Sequence, residues 1–146
     1  MAQFGRPSAD TYRDSWEEDD GTTDALYGEI DETVADDGDY IRTVIGPSND
    51  VYVTKLSNLE DPSSSGGHIV RYRYAKSSSG GAQIDLTVQL RQGYVDEGTP
   101  GTQIAQWAHT NISDTWTTQQ QTLSGAEADS ITDYTSLYLR FLANQA

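Results

Sequence analysis

From Gln83 to Gln92, Ile84, Leu86, Val88 and Leu90 alternate strictly with Asp85, Thr87, Gln89 and Arg91. Successive side chains of an extended strand point to opposite faces, so this order puts four aliphatic groups on one side of a sheet and four polar groups on the other. Wound at 3.6 residues per turn, the same four apolar groups would scatter around a helix. The segment therefore requires a sheet with one face on a core. Val70, Tyr72 and Tyr74 alternate with Arg71 and Arg73 in the same way, and Leu137, Leu139 and Phe141 repeat the pattern near the C-terminus. Sheets with one wet and one dry face are characteristically antiparallel.

Between these runs lies turn chemistry. Gly46-Pro47-Ser48-Asn49-Asp50 and Ser77-Ser78-Ser79-Gly80-Gly81 are clusters that bend a chain, and Pro62 to Gly67 is a longer Ser/Gly loop. The spacing predicts about eight strands, near 25–30, 40–45, 50–57, 67–76, 83–92, 102–110, 115–123 and 135–142. One helical signal interrupts them: Ser124-Gly125-Ala126-Glu127 has the spacing of a capping box and opens a short helix before the last strand. The expected fold is all-β, an antiparallel β-sandwich of jelly-roll-like form. At 146 residues a single core suffices. Residues 23–146 are read as that domain and residues 1–22 as an extended N-terminal arm, since no period of 2 or 3.6 runs through them.

Charge narrows the possible partners. The chain carries 9 Lys and Arg against 23 Asp and Glu, a net charge of −14, which repels phosphate backbones and anionic lipid surfaces. Nucleic acid and membrane are not expected partners. Residues 1–66 hold 16 of the acids and only 4 of the bases. No signal-peptide core is evident in Met1 to Pro7 and no run approaches 18 apolar residues, so synthesis in a cytoplasm is expected. Without cysteine the chain has no disulfides, thiolate metal sites or cysteine nucleophiles, and stability must come from packing.

Residues that could carry chemistry are few. His68 and His109 each fall on an expected strand, with no nucleophile elbow beside them and no metal-binding His pair. Asp36-Asp37-Gly38-Asp39 could offer oxygen ligands to calcium, but its spacing is not that of an EF-hand and an acidic turn accounts for it. No catalytic residues, cofactor or metal are expected. The arm admits two readings. It is a frayed terminus, or Phe4, Arg6, Tyr12 and Trp16 dock on a neighbouring subunit while Glu17 to Asp20 stay in water. Aromatics on a sandwich face can also stack on sugar rings, and Trp107 and Tyr138 are the candidates for such contacts.

The stretch Gly67-His68-Ile69-Val70-Arg71-Tyr72-Arg73-Tyr74-Ala75-Lys76, followed by Ile84 to Gly93 and by Asp133 to Phe141, resembles small virion proteins of tailed bacteriophages. The likeness covers roughly residues 25–142. It implies a jelly-roll protein that decorates or cements the exterior of a capsid, often as a homotrimer, with the major capsid protein and copies of itself as partners. Under that reading Phe4, Arg6, Tyr12 and Trp16 are the anchors. Two other expectations compete: a tail- or fibre-associated sugar-binding module touching the host surface, and a jelly-roll hydrolase with close carboxylates.

Overall fold

The computed structural model describes residues 2–79 and 81–146. The chain folds into an all-β antiparallel sandwich with nine strands among those residues: β1 Pro7–Arg13, β2 Glu17–Glu18, β3 Ile41–Arg42, β4 Asp50–Leu56, β5 Ile69–Tyr74, β6 Ile84–Gln92, β7 Thr102–His109, β8 Thr117–Thr122 and β9 Leu137–Gln145. One layer is a five-stranded sheet in the order β1-β4-β9-β6-β7. Opposite it stand two small sheets, β2-β3 and β5-β8.

The pairs are nested in chain order: β4 pairs with β9, β5 with β8, and β6 with β7, all antiparallel. This is the wrapped ribbon of a jelly roll, closed by the β6–β7 hairpin after three pairs rather than four. The second layer is consequently narrow, and its strands cannot cover the whole inner face of the five-stranded sheet.

The alternating strands behave as their patterns require. Leu86, Val88 and Leu90 are buried on the inner face, where they pack with Leu139, Leu137, Ala105 and Ile104 against Tyr72 and Leu123 of the second layer. The helix α1, Gly125–Asp129, starts at Ser124 with both capping-box bonds in place, the Glu127 N–H donating to Ser124 Oγ at 3.2 Å and the Ser124 N–H to Glu127 Oε2 at 2.7 Å. It places Ala128 in the main core, with Ile131 just beyond.

Three sequence expectations are corrected. Residues 25–30 are not a strand: Leu26–Glu29 is a 3₁₀ turn, nucleated by Asp10, whose carboxylate accepts the N–H groups of Leu26 and Tyr27, both at 2.8 Å. Residues 40–45 shrink to the two residues of β3. Residues 1–22 are not an arm apart from the domain. Pro7–Arg13 is the edge strand of the large sheet, hydrogen-bonded to β4, and Trp16 is 8% exposed in a second core cluster with Leu26, Tyr52 and Ala143. The physical reason is that β4 is apolar on both faces, Val51, Tyr52 and Val53 all being buried, and a strand with two dry faces needs neighbours along both edges.

The outer face of the large sheet is covered by its own hairpin. Residues 93–101, between β6 and β7, fold back so that Tyr94 packs on Val51 and Val53, and Glu97 takes two donors of Arg140 at 2.6 and 3.0 Å.

Candidate interaction cleft

The narrow second layer leaves a cleft of about 2030 Å³ over the inner face. Its floor is a sheet face: Leu137, Leu139, Phe141 and Ala143, every second residue of β9, border it, with Ile84, Leu86 and Leu90 of the same face of β6. Its walls are different in kind. Every residue from Gly66 to Ser79 and every residue from Asp39 to Pro47 borders the cleft, so residues of both faces of β5 and β3 meet it. What faces the cleft there is strand edge. β8 lends only Thr118, which puts it on the far side of β5.

The rim is apolar. Among the described residues six large hydrophobic side chains are exposed, and Phe4, Val34, Val44, Ile45 and Ile69 border this one cleft, leaving Val95 elsewhere. Ile45 is fully exposed, at 101%. Among the described residues three buried side-chain atoms have no hydrogen-bond partner, Trp16 Nε1, Glu32 Oε1 and His68 Nδ1, and all three belong to residues bordering the cleft.

Acidic loop residues form much of one wall. Asp37 holds Arg73 through two bonds of 2.6 and 2.7 Å, and Tyr40 packs on Trp116 with ring centroids 5.6 Å apart, so this loop reaches over β5. Hydrogen bonding keeps the Asp37 carboxyl below its ordinary value. Glu29 is pushed up to about 7, first by its hydrogen bond with Asp39, then by burial and by the charges of Asp39, Glu18 and Asp19. Burial likewise raises Glu32. Glu29, Glu32, Asp36 and Asp39 have no ion-pair partner among the described residues.

The four expected anchors separate. Phe4, 68% exposed, and Arg6 border the cleft, with the guanidinium 5.4 Å from the ring centroid and donating to the Glu32 carbonyl at 2.8 Å. Tyr12 packs on the outer face beside Val51 and Val53, and the Trp16 ring lies inside the fold, 6.1 Å from that of Tyr52. Trp16 is thus a buried member of the second core cluster that also borders the cleft. Trp107 and Tyr138 form no shared platform: Trp107 joins the inner core against Tyr72, while Tyr138 packs on the outer face with Tyr94.

The histidines are engaged locally. His68 Nε2 lies 2.7 Å from the Tyr134 hydroxyl and His109 Nε2 2.6 Å from that of Tyr72, with burial lowering the His109 pKa. Asp36 caps the Gly38 N–H at 2.8 Å, and among the described residues no group of three or more His, Asp or Glu side chains converges to hold a metal ion. No helix among them is long and apolar enough to cross a membrane. The cleft itself was not legible in the sequence. Val34, Val44 and Ile45 lie in segments without periodicity, and only the fold brings them to one rim with Phe4 and Ile69. No family model matches the chain, and no curated protein or solved structure matches it either.

Proposed function

We propose that this chain is a structural protein of a tailed-bacteriophage virion, a decoration or cement protein that binds the capsid exterior across joints between major capsid protein subunits, as a homotrimer made in the host cytoplasm. The observation that carries the reading is the cleft with five exposed apolar side chains on its rim, a surface built for protein contact. The phrases around Gly67–Lys76 and Asp133–Phe141 supply the kind of assembly. The function is binding, without catalysis, cofactor or nucleic acid.

A cement protein adds contacts that exist only in the assembled shell and stabilises it by mass action. A trimer engaging several sites gains effective concentration over a single contact. The net charge of −14 keeps free copies soluble before they meet the shell.

Imaging of purified particles tests the reading. Density at regular positions on the capsid exterior is expected, and location only at the tail, or absence from particles, overturns it. Light scattering tests the trimer, which a concentration-independent monomer would exclude.

A further inference from the structure

We infer that the cleft takes an extended segment of a partner protein, apolar at alternate residues and carrying Lys or Arg at others, which lies along the free edge of β5 and widens the second layer by one strand. This deepens the proposed role in the shell by naming how the partner is held.

Three observations carry it. First, among the described residues β5 has a strand neighbour on one side only, β8, and its other edge opens onto the cleft. An unpaired edge offers a row of N–H and C=O groups to an incoming strand. The six residues Ile69–Tyr74 present roughly 20 Å of such edge at about 3.3 Å per residue. Second, the floor beneath is the apolar face of the large sheet, on which Ile84 and Phe141 are half-buried and can be covered by a strand laid over it, while Leu139 and Ala143 already lie in the core. Ordinary β alternation in the guest would match that floor.

Third, charge selects the guest. Arg73 is already neutralised by Asp37 and Arg42 by Glu17, while Arg71 donates to Gln120 at 2.6 Å. Among the described residues of the walls, six acids without an ion-pair partner, Glu29, Glu32, Asp36, Asp39, Glu60 and Asp114, outnumber three such cations, Arg6, Arg71 and Lys76, and burial and mutual crowding make Glu29 and Glu32 reluctant carboxylates. A guest bearing Lys or Arg relieves that crowding. A second copy of this chain, with net charge −14, adds to it.

The probes are eight-residue peptides and the full chain. An alternating Val/Lys peptide is expected to bind about tenfold or more tightly than an alternating Val/Glu peptide, and to slow hydrogen exchange of the Ile69–Tyr74 amides. N-methylation of alternate peptide nitrogens on the edge facing β5 abolishes binding if backbone pairing holds it. Ile45→Ser, at a fully exposed position, lowers affinity for the Val/Lys peptide severalfold without moving the melting temperature. Equal binding of the two peptides, binding without protection of β5, or sedimentation showing that copies occupy the cleft in one another overturns the inference. The shell reading is judged separately by particle imaging, so either can fail while the other stands.

Discussion

Asp10 ties the first strand, the 3₁₀ turn and the core together. Its carboxylate accepts the Tyr52 hydroxyl at 2.6 Å and the N–H groups of Leu26 and Tyr27. Tyr52 is wholly buried, so its hydroxyl proton has this one outlet, and burial with the adjoining carboxylate raises its pKa. Hydrogen bonds to a charged group contribute about 1.5–3 kcal/mol each when buried and less when partly wet. Asp10→Ala is expected to cost about 3 kcal/mol by urea denaturation, and Asp10→Asn less, because the amide oxygen still accepts. Glu29 acts in the opposite sense. Its folded value of about 7 lies above the ordinary 4.5, so its contribution is complete below 4.5 and is lost as pH rises through 7. Glu97 is held below 4.5 chiefly by its bonds to Arg140, so its contribution is present above 4.5 and lost as pH falls through the lowered value. Glu29→Gln should raise the melting temperature at pH 8 and leave it unchanged at pH 4.

At the scale of elements, the first strand shows what was readable in the sequence and what was not. β6, β5 and β9 carry plain alternation, since each has one face on a core, and the helix start at Ser124 was visible as a local spacing. β1 was hidden because its pairing with β4 shifts register twice, between Pro7 and Ala9 and between Asp10 and Tyr12, and each bulge breaks the period of two. The turn at Leu26 depends on Asp10, sixteen residues earlier, a contact that no local window contains. Deleting residues 2–16 should therefore abolish cooperative thermal unfolding of the sandwich, since it uncovers β4 and removes Trp16 from the core, whereas loss of a free arm would leave the melt unchanged. The β6–β7 hairpin makes a second test. Gly101 sits at φ +68°, and a Cβ there would lie 2.2 Å from the Gln92 carbonyl oxygen. Gly101→Ala is expected to cost at least about 2 kcal/mol by denaturation, through strain and through loosening of the loop that seats Tyr94.

For the whole molecule, the charge that protects the free chain also works against its fold. Folding crowds 23 carboxylates with 9 cations into one small body, and the acids are concentrated in residues 1–66, whose loops form one wall of the cleft. Self-repulsion of this kind destabilises the compact state, and it is screened over about 30 Å at 0.01 M salt but about 10 Å at 0.1 M. The melting temperature should accordingly rise between 10 mM and 0.5 M sodium chloride, with most of the gain below 0.15 M. Sodium perchlorate, which screens equally without strengthening apolar burial, separates the causes at low concentration. An equal rise in both salts assigns the effect to charge, whereas a rise only in chloride assigns it to the apolar contacts. The same screening should weaken capture of a basic strand by the acidic wall. If charge governs both processes, the salt that steadies the free protein is the salt that loosens its hold on the partner.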